Sequence, residues 1–346
     1  MGVMRSPLQG GLLPAEAVAG PVVRIACDES GFSGTNLLHP GMPTITHASV
    51  DLSAAEAADL LVRLGAGSAS RELKSGQFLR AGREDRFQEA LRGRALVHVI
   101  NKRFFLVTRI VDFLLYEPSY AAGTRLTQAQ RPAAVALARV VRESPGLLPA
   151  FADLVRTKRR RPASETVQRF LAAAAPVVEV EPARVWALAA RLDDDDREIP
   201  PPLEPLLPAL AETVLSWSAN EPARAGTGPW GSGDGSPHAG AVLSGSGNEP
   251  RPPTPVGVAP ANGERRVLVT HDEQSALTAD RLARLQRALA GADGVSPLAG
   301  FVMADSRDDP RIQVADLLAG VARRLGVEDS LLTPTSCGRA DGHGGG

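Results

Sequence analysis

Apolar residues follow two rhythms along this chain. Short dense runs bounded by turn residues mark buried strands, and recurrence every three or four positions marks amphipathic helices. "VVRIAC" (22–27), set between Gly20-Pro21 and Ser30-Gly31, predicts a first strand. "TITHASVDL" (44–52), "ALVHVINK" (95–102), "RRVLVTHDEQ" (265–274) and "LAGFVMADS" (298–306) predict four more. Helical spacing appears in "AAEAADLLVRLG" (54–65), where Ser53 is placed to cap the start and Gly65 to end it. It returns in "REDRFQEALRG" (83–93), "LTADRLARLQRALAG" (277–291) and "DDPRIQVADLLAGVARRLG" (308–326), the last with Pro310 in its first turn. "RELKSGQFL" (71–79) fits neither rhythm.

From Arg103 to about Ser218 the helical rhythm dominates, in "FFLVTRIVDFLLY", "AQRPAAVALARVVRE", "LLPAFADLVRTKRR", "SETVQRFLAAAA" and "LEPLLPALAETVLSWS". Residues 219–264 are rich in Gly, Pro, Ser and Ala and lack periodicity, so a disordered linker is expected there. The chain thus divides into a flexible leader (1–20), an α/β domain in two parts (21–117 and 265–326), a helical insertion (118–218), the linker, and a flexible tail (327–346). Strands that alternate with helices predict an α/β sheet flanked by helices.

Composition narrows the function classes. With 346 residues, 43% of them apolar, the chain can bury a sizeable core. A formal net charge of −1 excludes a chain-wide basic footprint, so any nucleic-acid contact must be local. Two cysteines, Cys27 and Cys337, exclude a disulfide framework and suit a reducing compartment. No apolar run approaches the ~20 residues that cross a bilayer. The first twenty residues lack the apolar core of a signal peptide, so a soluble, cytoplasmic protein without a membrane partner is expected.

Two strand ends share one design: "VVRIAC" delivers Asp28 and Glu29, and "RVLVT" delivers His271, Asp272 and Glu273. Ligand sites of α/β sheets gather at strand carboxyl ends. Alternation sends Asp28 and Glu29 to opposite faces, and Asp28 is the better candidate; an acidic turn explains either stretch equally well. Glu72 lies two positions before Lys74, one of three lysines against 35 arginines, which suits a phosphate-facing cation or a surface ion pair. Asp316 borders the apolar arc of the last helix, one turn before Gly320. Four such carboxylates brought together would repel one another, and a hard divalent cation, Mg²⁺ or Mn²⁺, resolves that conflict. Zinc has no Cys-x-x-Cys or His-x-x-x-His pair to bind it, and no Gly-x-Ser-x-Gly elbow supports a serine triad. The basic cluster "TKRRRP" (157–162) suits a phosphate backbone or a helix end, and "DDDD" (193–196) a solvated turn.

"CDESG" (27–31), "ELK" (72–74), "VTHDE" (269–273) and "DSRDDPRIQVADLLAG" (305–320) together resemble the domain-of-unknown-function 3800 family. The resemblance covers roughly residues 20–117 and 265–326 and leaves the linker and the Ala/Arg-rich helices unexplained. It implies a ribonuclease H-like mixed sheet, with Asp28, Glu72, Asp272 and Asp316 at the acidic positions and Gln313 at the polar position before the last of them. The expected function is phosphodiester hydrolysis on DNA or RNA at a two-metal site. Asp28, Glu72, Asp272 and Asp316 would hold Mg²⁺ or Mn²⁺, Lys74 would face the scissile phosphate, and His271 would shuttle a proton. A non-catalytic nucleic-acid-binding or protein-interaction module, and a phosphoester hydrolase with another substrate, stay open beside it.

Overall fold

The computed structural model describes residues 20–32, 34, 36–65, 78, 83–156, 163–219 and 265–325. Glu72, Lys74, the basic cluster, Cys337 and nearly all of the leader, linker and tail lie outside these residues. Each of the five apolar runs forms a strand: β1 (Val22–Ser30), β2 (Thr44–Val50), β3 (Ala95–Asn101), β4 (Arg266–Asp272) and β5 (Leu298–Ala304). They make one mixed sheet in the order β3-β2-β1-β4-β5.

β1 pairs in parallel with β4, Cys27 opposite His271, and β4 pairs in parallel with β5. β2 and β3 run antiparallel: Asp51 N donates to Arg94 O and Lys102 N to Pro43 O, each at 2.9 Å, so partner numbers fall as they rise. Ile25, Ala26 and Cys27 are consecutive and all 0% exposed, so β1 is covered on both faces. β1 also runs three residues past the apolar stretch, to Ser30, which puts Asp28 and Glu29 on the strand itself. Alternation then decides where each points.

Two compact units form around these strands. Among the described residues, the first holds those up to Ser30, within 47–97 and from Leu210 onward. In it, α1 (Ala54–Arg63) starts with the expected cap: Ser53 Oγ accepts from Glu56 N, and Glu56 Oε2 accepts from Ser53 N. α2 (Glu84–Leu91) buries Phe87 edge-on against Phe78 at 5.2 Å. α9 (Ala279–Ala288) follows β4 and is capped by Thr278. α10 (Pro310–Leu325) packs across β1 and against α1. Its Ala315, Ala319 and Ala322 are fully buried, and such small side chains permit a close approach.

The second unit is helical, with residues from 31–46 and 98–209. α3 (Lys102–Leu114), capped by Asn101, buries almost every side chain and forms its centre. Around it lie a 3₁₀ turn (Arg125–Gln130), α4 (Arg131–Val141), α5 (Leu147–Leu154), α6 (Ala163–Ala174) and α7 (Pro182–Asp193). Arg109 and Asp112 are buried inside it as an ion pair 3.3 Å long, with Arg109 over the Phe105 and Phe113 rings. α8 (Leu206–Ser218) begins in this unit and ends in the first. In the acidic run, Asp196 accepts from Arg191 Nε at 2.7 Å, while Asp194 and Asp195 stay exposed. No described helix is long and apolar enough to cross a membrane.

Candidate functional site

Asp28 is only 7% exposed, although it sits two residues from the end of its strand. α10 covers this face of the sheet. Arg323 Nε donates to Ser30 Oγ at 3.0 Å and Arg311 Nη2 to Thr270 Oγ1 at 3.5 Å, both on the Asp28 side of β1 and β4. Between those two arginines α10 carries Asp316. Asp272, one residue past the buried His271, alternates to the same side. Burial pushes the Asp28 carboxyl up to about 9, and the charges of Glu29, Asp316 and Asp272 push it the same way. Opposing them is the Glu29 N–H, which donates to Asp28 Oδ1 at 2.7 Å. The charges that act most strongly on Asp28 are therefore all carboxylates.

The other two acids are held by different means. Asp272 Oδ1 accepts from the Ser306 N–H at 3.1 Å, and burial still lifts its carboxyl above the usual range. Ser306 is itself fixed, because Gln313 Nε2 donates to its carbonyl at 2.7 Å. Gln313 thus secures the loop that holds Asp272. Nearby Asp305 and Asp309 are taken up by Arg307 and Arg311, two residues on in each case. Asp316 is half-buried on α10. Asp28, Asp272 and Asp316 therefore come together on one face, whereas Glu72 and Lys74 lie outside the described residues.

His271 is placed apart from the three acids. Its ring is 0% exposed and lies on the opposite face of the sheet, so it does not join the acids as a proton shuttle. Period-two alternation is the reason, since a residue next to an inward Asp272 must point the other way. There it meets His47 of β2, Nε2 to Nε2 at 3.3 Å. Glu29 shares this face: its Oε1 accepts from Gln274 Nε2 at 2.5 Å, and its Oε2 lies 3.8 Å from His271 Nε2. The Cys27 thiol is buried on the same side, and burial, then Asp28 and Glu29, hold it well above its ordinary pKa, which makes it inert. His47, Thr213 and Gln274 escaped the sequence reading. A histidine inside "TITHASV" was the available signal.

Chemically, the acid face offers carboxylate oxygen donors, of which Asp28 is buried in the field of other carboxylates, and oxygen donors are what a hard divalent cation takes. Among the described residues, no three His, Cys, Asp or Glu side chains are placed to grip an ion as they stand. The fit rests instead on Asp28, a buried carboxyl in the field of three others. Compared with protein families, curated proteins and solved structures, the chain matches none of them.

Proposed function

We propose that the chain is a Mg²⁺- or Mn²⁺-dependent phosphodiesterase of ribonuclease H-like fold that acts on nucleic acid. The observation that carries this reading is Asp28, a carboxyl 7% exposed on its strand whose pKa burial, and then the charges of Glu29, Asp316 and Asp272, push up to about 9. A mixed sheet with parallel strands β1, β4 and β5, and acids at the carboxyl ends of β1 and β4, supports it. So does the resemblance of four separate motifs to one family.

In this reading Asp28, Asp272 and Asp316 hold the cation, and Glu72 completes the set. A bound cation would polarise the phosphodiester and lower the pKa of an attacking water. Burial favours a proton on Asp28, and a bound divalent ion would compete with that proton. The Ser306 N–H keeps the Asp272 carboxylate oriented, and Lys74, outside the described residues, is the cation this reading assigns to the phosphate.

The test is cleavage of single- and double-stranded DNA and RNA oligonucleotides with Mn²⁺, comparing the parent with Asp28→Asn. The expected loss in Asp28→Asn is at least about a hundredfold, because removing a ligand forfeits several kcal/mol of transition-state stabilisation. Equal rates in the two proteins would refute the assignment. A parent inert on all four substrates would leave the non-catalytic module as the better reading.

A further inference from the structure

A second buried polar group lies on the sheet face opposite the acids. His47 Nδ1 is 3.0 Å from Thr213 Oγ1 of α8. His47 Nε2 is 3.3 Å from His271 Nε2, and His271 Nδ1 is 3.0 Å from the carbonyl oxygen of Asp272. Both rings are fully buried and stack 5.4 Å apart, with Phe301 covering the far side of His271 at 5.8 Å.

With both rings neutral, these three contacts have one consistent direction of donation. A carbonyl oxygen only accepts, so His271 Nδ1 carries the proton and, in the neutral ring, Nε2 is bare. His47 Nε2–H must then be the donor across the 3.3 Å contact. That leaves His47 Nδ1 bare, and the Thr213 hydroxyl donates to it.

A competitor stands beside this arrangement. Glu29 Oε2 is buried, has no hydrogen-bond partner, and lies 3.8 Å from His271 Nε2. A His271 protonated on Nε2 would turn to that carboxylate and release the Asp272 carbonyl. His47 prevents this by filling His271 Nε2 with its own donated hydrogen.

We infer that Thr213 and His47 are positioning residues that lock His271 in its Nδ1–H tautomer and so hold the backbone of Asp272 in place. The consequence for metal binding rests on the proposed role of Asp272. The tautomers do not depend on it.

The experiment uses the ¹⁵N-labelled full chain, with imidazole nitrogens read by two-bond correlation and Mn²⁺ binding read from thermal melting. In the parent, His271 is expected as the Nδ1–H form and His47 as the Nε2–H form. His47→Phe removes the donor and is expected to move His271 toward Nε2–H and to weaken the Mn²⁺ midpoint about tenfold, the lower range for a lost outer-sphere partner. His47→Gln keeps an N–H donor and should restore both readouts. Trp217→Phe is the control: it breaks the 2.8 Å bond from Trp217 Nε1 to Ser49 Oγ, between the same helix and strand, and should alter neither.

An Nε2–H His271 in the parent overturns the inference even if no variant folds. Equal Mn²⁺ shifts in His47→Phe and Trp217→Phe overturn it too, since general loosening would then explain the effect. A parent whose melting ignores Mn²⁺ overturns the metal reading instead, while the spectra still decide the hydrogen-bond chain.

Discussion

Two buried aspartates of this chain meet burial in different ways. Asp28 faces other carboxylates, and Asp112 faces an arginine. Asp112 is 0% exposed and bonded to Arg109 Nη1, yet burial outweighs that attraction and lifts its carboxyl to about 7. The unfolded group has the ordinary value near 3.8. Between those two values the folded chain holds a proton that the unfolded chain has released. Its contribution to stability is therefore complete below about pH 4 and lost as pH rises through about 7. Urea midpoints should fall across that window, by about 1–4 kcal/mol of unfolding free energy from this group. Asp112→Asn, which does not titrate, should flatten that part of the profile; an unchanged slope would place the titration elsewhere.

Asp28 was legible in the sequence because two acids end an apolar run, and strand alternation separates them. The His47–His271 contact was not, because its partners are 224 positions apart and a lone histidine has no rhythm.

Elements were more readable than residues. The five strands and the capped α1 follow from local pattern, because each strand is a dense apolar run and Ser53 with Glu56 spells out a cap. Ser53→Ala should cost about 1 kcal/mol in chemical denaturation, by stranding an N–H of the first turn. α7 was not singled out. It buries the narrow stripe Val185, Leu188, Ala189 and Leu192 and leaves Trp186 42% exposed, so its rhythm is weak.

α10 bears most directly on the site. Small residues line its contact with β1, and the same helix carries Asp316. Ala319→Leu should destabilise the fold by about 1–3 kcal/mol through overpacking. If Asp316 is a ligand as proposed, the same substitution should also reduce Mn²⁺-dependent stabilisation more than Ser53→Ala does, because it displaces the helix that carries Asp316. Similar Mn²⁺ responses in the two variants would detach Asp316 from the site.

On the scale of the whole molecule, the two compact units part at the end of β1 and inside β2, β3 and α8. No local pattern encodes such a division, since it depends on contacts between residues far apart in sequence. All the described candidate ligands fall in the first unit. The second buries its own core, with Phe151 and Phe170 both 0% exposed and their rings 5.8 Å apart. Phe151→Ala should cost about 3–5 kcal/mol in that core and leave the Mn²⁺ midpoint unchanged. A shifted midpoint would show that the helical unit shapes the acid face.

The most direct measurement is anomalous X-ray diffraction from crystals of the full chain grown with Mn²⁺. A manganese peak should lie among the carboxylates of Asp28, Asp272 and Asp316, and it should vanish in Asp28→Asn. No peak there at saturating Mn²⁺, with the three carboxyl groups still facing one another, would contradict a metal site on this sheet.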